Sequence, residues 1–210
     1  MTPPAHFALS EILIVIAGAY SIRVFLQYKL NFAAAGVLVL AVAAFLATLR
    51  FGLNMHTELK SSHQLFTALS LLFGVPLVTI DVIKKSQFLN EKIILIFALI
   101  MALVSIYIFY QAKSLIIMYA VMWLVLGIIF SFLIPREKIS SRFVSSFIFS
   151  IILVNFIIRQ VQLFEPNLSW HFYHVVVAVW LYLMTLLITK KEAFMVASQT
   201  KVTTRKAKYE

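Results

Sequence analysis

Apolar residues form long uninterrupted runs in this chain, and polar residues gather in the short segments between them. A run of about 20 apolar residues is long enough for an α-helix to cross the roughly 30 Å hydrocarbon core of a bilayer. The pattern therefore predicts seven transmembrane helices: 7–27, 32–53, 63–83, 92–111, 114–134, 143–163 and 170–189. Because the connections are short, consecutive helices are expected to be antiparallel neighbours in one bundle. The fold class predicted is all-α, a polytopic membrane protein.

Composition supports the same class. Of the 210 residues, 62% are hydrophobic and 12% are charged, whereas soluble domains have about 45–50% and about 25%. A water-soluble globule is thereby excluded. We divide the chain into a transmembrane domain, 1–189, and a basic tail, 190–210. The chain has no cysteine, which excludes disulfides, thiolate metal sites and cysteine nucleophiles.

The charge distribution predicts an orientation. Lys and Arg number 18 against 8 Asp and Glu, a net charge of +10. Short cytoplasmic loops retain basic residues, and all but four of the 18 fall on one side of the predicted spans. The four others are Arg50, Lys60, Lys113 and Arg159. We therefore predict an outside N-terminus, a cytoplasmic C-terminus and a multi-pass protein of the cell membrane. The basic tail is expected to lie near anionic lipid, and nucleic acid is not an expected partner.

Histidines gather on the predicted outer side. All five belong there, with His63 at the start of the third span and His171 and His174 at the start of the seventh. His171 and His174 are three residues apart and therefore share one helical face. Imidazoles brought together from separate helices suit Zn²⁺, which in catalytic sites commonly has three protein ligands and a water. The candidate metal ligands are His56, His63, His171 and His174.

Three other ionisable residues lie at a similar depth and are candidate catalytic groups. Glu11 or Glu58 could move a proton, and Arg159 could stabilise a developing negative charge or hold an anionic head group. The alternative interpretation is that the histidines, like Trp170, favour the membrane interface because their rings are amphipathic.

Two features inside the spans predict local structure. Asp81 lies 18 residues beyond His63, about 27 Å along a helix, so it is expected to pair with Lys84 and Lys85 at the opposite end of the bundle. Pro76 is expected to kink the third span.

Small residues predict where the helices approach one another. Gly18, Gly36 and Gly127 lie inside predicted spans and are expected to allow close helix packing.

Seven spans, the segment from Met55 to His63 and the run Trp170-His171-Phe172-Tyr173-His174 together resemble the CREST superfamily of membrane proteins. That superfamily includes alkaline ceramidases, adiponectin-type receptors and Per1-like lipid remodellers. The resemblance implies a zinc site formed by His56 or His63 with His171 and His174, and a lipid amide as a substrate. The sequence departs from the pattern in its histidine spacing, in lacking the serine of helix two, and in having no aspartate at the matching depth of helix three.

The leading hypothesis is thus a zinc-dependent membrane hydrolase that cleaves an amide or ester bond of a lipid, with the bilayer as its environment. One alternative is a non-enzymatic sensor, scaffold or transporter component. A second alternative is a haem-binding electron-transfer protein with histidine axial ligands.

Overall fold

A computed structural model of the chain describes residues 4–135, 139–161 and 163–206, with side chains as far as residue 189. In this part of the chain the ordered elements are helices. The α-helices are α1 (Phe7–Gln27), α2 (Asn31–Gly52), α3 (Lys60–Leu69), α4 (Val75–Ser86), α5 (Glu91–Gln111), α6 (Ile116–Leu133), α7 (Ile139–Gln160) and α8 (Pro166–Lys206). A π-helical segment, Ser70–Gly74, joins α3 to α4, and a 3₁₀ turn, Lys113–Leu115, precedes α6.

The prediction of seven spans is confirmed for the described residues. Seven helical segments are long and apolar enough to cross a membrane, and α3, the π-helical segment and α4 together form the third, Lys60–Ser86. The seventh is Pro166–Thr189, and the backbone of α8 continues as a helix to Lys206. The end of the predicted basic tail, 207–210, lies outside the described residues. The orientation of the bundle stays a prediction.

Six of the seven spans form a closed ring. α1 packs against α2 and α8, α2 packs against α3 and α4, α4 packs against α6, and α7 contacts both α6 and α8. The span α5 lies outside this ring, contacts mainly α4, and is the least buried of the seven. The ring therefore encloses an interior to which each of its spans can contribute side chains.

Close helix packing occurs at the predicted glycines. A Cβ atom on Gly36 would lie 2.5 Å from the carbonyl oxygen of Gly74, and one on Gly127 would lie 2.5 Å from the Phe149 ring. A Cβ atom on Gly18 would lie 2.9 Å from that of Ala41. The prediction for these three glycines is confirmed, because any side chain there would push two helices apart.

The third span passes through a π-helical segment, Ser70–Gly74, just before Pro76, and the kink stays a prediction. Proline has no backbone N–H, so the carbonyl of Leu72, four residues earlier, lacks its usual helical donor. The Ser105 hydroxyl donates to that carbonyl oxygen at 2.7 Å. The Ser105 side chain of α5 thus satisfies a backbone group that proline leaves without a donor, as neighbouring Ser and Thr side chains do in transmembrane helices.

Asp81 caps a neighbouring helix. It is 2% exposed, and its Oδ2 accepts a hydrogen bond from the backbone N–H of Ala33 at 2.7 Å. Ala33 lies in the first turn of α2, whose own N-cap residue, Leu30, has no capping side chain. A carboxylate is favourable at this positive end of a helix dipole. The predicted lysine neighbours interact with it electrostatically, and the hydrogen bond from Ala33 joins it to the backbone of α2.

Candidate functional site

The ring of helices encloses a cavity of about 310 Å³, which we call the central cavity. It lies at the end of the bundle where α1, α3 and α8 begin and α7 ends, and we call this the histidine end. Most of its walls are apolar, supplied by side chains such as Leu40, Ala44, Leu124 and Ile152. Its polar lining residues are Glu11, His63, Thr67, Ser70, Arg159, Gln160, Tyr173 and His174.

Glu11 and His174 form a buried pair on the cavity wall. The Nε2 atom of His174 lies 3.0 Å from Oε1 of Glu11, and the two side chains are 12% and 3% exposed. The Nδ1 atom of His174 lies 2.6 Å from the carbonyl oxygen of Trp170. Because a carbonyl oxygen can only accept, Nδ1 carries a proton and Nε2 faces the carboxyl group. The pair shares one further proton, as imidazolium with carboxylate or as two neutral groups.

The tautomer of His63 is set by an arginine. An N–H of the Arg50 guanidinium donates to Nδ1 of His63 at 3.0 Å. Arginine has no acceptor, so Nδ1 holds the lone pair and Nε2 carries the proton. Arg50 also donates through Nε to the carbonyl oxygen of His56 at 3.3 Å. It thereby ties the end of α2 to the following connection and to the start of α3.

Arg159, in the last turn of α7, is held by α8. It donates to the Ser169 hydroxyl at 3.1 Å, and its guanidinium carbon lies 5.4 Å from the centre of the Trp170 ring. The Trp170 ring in turn stacks on His174, with a 4.5 Å separation of centroids. Arg159 is therefore a cavity-lining cation with a fixed position.

Four of the seven predicted site residues come together at the central cavity, namely Glu11, His63, Arg159 and His174. The other three are not among its lining residues.

Each of those three has a different environment. The Nδ1 atom of His171 lies 3.1 Å from the Ser10 hydroxyl, and its ring stacks on His6. The ring of His56 lies 6.3 Å from that of Phe51. Glu58 is exposed in the connection before α3, where hydrogen bonds from its own backbone N–H and from Thr57 lower the pKa of its carboxyl group.

Sequence reasoning missed two residues that organise the site. Arg50 fixes the ring of His63, and its signal in the sequence was that it is one of the few basic residues on the predicted outer side. Trp170, interpreted from the sequence as an interfacial ring, lines the cavity and contacts both His174 and Arg159.

Within the described residues, no three His, Asp or Glu side chains make a group that could hold a metal ion. The Nδ1 atom of His63 accepts from Arg50, and both nitrogens of His174 have partners. Zinc binding and the four-histidine ligand set stay predictions.

Seven apolar spans, six of them around a cavity with ionisable groups at one end, are the architecture of an integral, multi-pass membrane protein. No protein-family model, curated protein or solved structure matches the chain. The resemblance to the CREST superfamily accordingly stays a prediction, and any function has to be argued from the cavity itself.

Proposed function

We propose that this protein is a membrane hydrolase that cleaves an amide or ester bond of an amphiphile held in the central cavity. The observation that carries the proposal is the meeting of Glu11, His63, Arg159 and His174 on one cavity whose other walls are apolar. Ionisable side chains inside a membrane are costly, and they mark functional sites more often than structural ones.

The shape of the cavity favours an amphiphile. Apolar residues from α2, α6 and α7 would surround a hydrocarbon chain, and the polar residues at the histidine end would surround the group that reacts. The volume, about 310 Å³, lies at the lower end of the roughly 300–1,000 Å³ range of ligand pockets. This size favours a substrate with one hydrocarbon chain in the cavity over one with two.

The Glu11–His174 pair supplies acid–base chemistry. In the ionised form of the pair, Glu11 takes a proton from a water molecule as that water attacks the carbonyl carbon of the substrate. The imidazolium of His174 stabilises the ionised carboxylate beforehand, and the pair returns the proton to the leaving nitrogen or oxygen. The Nε2–H group of His63 is the donor for the oxyanion of the intermediate.

The test is hydrolysis of single-chain lipid amides and esters by the purified protein in a neutral detergent. Glu11→Gln and His174→Gln are each expected to lower the rate by roughly 10²- to 10⁴-fold, the usual contribution of a general acid–base group. The matched control is Glu165→Gln, because Glu165 is exposed in the connection before α8 and does not line the cavity.

Hydrolysis that survives Glu11→Gln at the wild-type rate would contradict the proposal. Folded protein that binds these lipids and hydrolyses none of them would instead support the non-enzymatic alternative. Metal analysis of the same preparations tests zinc separately. Bound zinc that is lost in His63→Ala and His174→Ala, but kept in His6→Ala, is the outcome that the zinc prediction requires.

A further inference from the structure

The charge and hydrogen-bonding groups of the central cavity define a narrower class of ligand. We infer that the amphiphile bound there is anionic, and that Arg159 binds its phosphate or carboxylate. This inference rests on the proposed use of the cavity as a lipid site, and it goes beyond hydrolysis by naming the substrate class.

Two arginines at the histidine end of the bundle carry permanent positive charges. Arg50 and Arg159 are both permanently protonated, and among the described side chains neither forms an ion pair with a carboxylate. The carboxyl group of Glu11 is engaged by His174 at 3.0 Å and does not pair with either arginine. The guanidinium of Arg159 therefore lies at the cavity without a carboxylate partner among the described side chains.

A positive charge at membrane depth is costly unless an anion compensates it. Arg50 is already engaged with His63 and with the connection after α2, and it does not line the cavity. Arg159 does line it. A ligand that enters the cavity can therefore contact Arg159 directly.

The guanidinium of Arg159 offers donors to an anion. A guanidinium has five N–H groups, of which the structure assigns one to the Ser169 hydroxyl. Phosphate and carboxylate groups only accept when they are ionised, and charge-assisted hydrogen bonds from arginine to such groups are among the strongest in proteins.

The position of Arg159 is fixed before any ligand binds. Ser169 and the Trp170 ring contact it from the first turn of α8, so little conformational entropy remains to be lost on binding. A neutral amphiphile would leave this held cation without a counter-charge. The cavity is thus expected to discriminate by charge among amphiphiles of equal chain length.

The experiment uses three ligands that share a sixteen-carbon chain and contain no amide or carboxylic ester bond to be cleaved: hexadecanoate, hexadecyl phosphate and hexadecanol. Binding to the full-length protein in a neutral detergent is followed by intrinsic fluorescence, since Trp170 and Trp180 both line the cavity. We expect at least one anion to bind roughly 10- to 100-fold more tightly than hexadecanol, the range for hydrogen bonds to charged groups. Comparing hexadecanoate with hexadecyl phosphate shows which acid the site prefers.

Arg159→Gln is expected to abolish this preference for the anion, and Arg159→Lys to keep part of it, because lysine retains the charge and loses the guanidinium geometry. Arg23→Gln is the matched control, since Arg23 is exposed far from the cavity. The readout is the ratio of anion to alcohol affinity within each variant, so a general loss of affinity does not imitate the effect. If Arg159→Gln does not fold, the ratio for Arg159→Lys still has to fall below that of the wild type.

Equal affinity for hexadecanol and for both anions, or an unchanged ratio in a folded Arg159→Gln variant, would overturn the inference. Its failure is distinguishable from failure of the hydrolase proposal. Charge-selective binding without turnover of any amide or ester would retain the inference and remove the hydrolase. Turnover of neutral lipids without charge-selective binding would overturn the inference and retain the hydrolase.

Discussion

At the scale of residues, His174 shows how one side chain can connect a membrane helix to a candidate site. Its Nδ1 is engaged by the backbone of its own helix and its Nε2 by Glu11 of α1. Neither nitrogen is free to act alone, so the functional unit is the pair. The chemistry of the site depends on how α1 and α8 face each other.

The pair predicts a stability effect that is not additive. Glu11→Leu leaves the His174 imidazole without its partner. His174→Leu leaves the Glu11 carboxyl group without its partner. An unsatisfied buried polar group costs about 1–3 kcal/mol, so each single variant is expected to have a lower melting temperature in detergent. The double variant removes both groups and is expected to be more stable than the sum of the two single effects predicts.

Glu165→Leu serves as the control for changing an exposed carboxylate. Strictly additive effects of the two single changes would contradict the pairing of Glu11 with His174.

Part of this site could be predicted from the sequence. Glu11, His63, Arg159 and His174 were identifiable as ionisable residues at one depth, because depth follows from position within an apolar run. Their mutual contacts were not, since these depend on the rotation of each helix about its axis. His171 illustrates the difference: it lies three residues from His174, yet its Nδ1 contacts Ser10 and its ring stacks on His6.

At the scale of elements, the start of α2 depends on a residue far away in the chain. Asp81 of α4 accepts from the backbone N–H of Ala33 and supplies the cap that Leu30 lacks. The sequence suggested only a pairing with lysines, because nothing local indicates which helix terminus a buried carboxylate will reach. The span boundaries, in contrast, were close to correct since the apolar pattern determines them.

Asp81→Ala is expected to lower the free energy of unfolding by about 1–2 kcal/mol, the cost of removing a helix cap. Asp81→Asn keeps an acceptor oxygen for the backbone N–H of Ala33, so it is expected to lower the free energy of unfolding by less than Asp81→Ala does. Thermal unfolding of both variants in the same detergent gives the comparison. A melting temperature of Asp81→Ala equal to that of the wild type would show that the cap does not contribute to stability.

At the scale of the whole molecule, the bundle separates a ring of six spans from an outlying α5. The apolar pattern predicts seven helices of similar character, and it does not reveal this division, which follows from which faces pack together. The division is useful in experiments because α5 supplies none of the cavity-lining residues. Leu40 and Val177 line the cavity, whereas Leu99 of α5 is 61% exposed.

The central claim, that an amphiphile occupies the central cavity, can be tested by photolabelling with a sixteen-carbon fatty acid that carries a diazirine within its chain. The account predicts labelling of Leu40, Ala44 or Val177 that excess hexadecanoate suppresses, together with labelling of α5 that it does not suppress. Suppressible labelling that is absent from the cavity-lining residues would contradict the account.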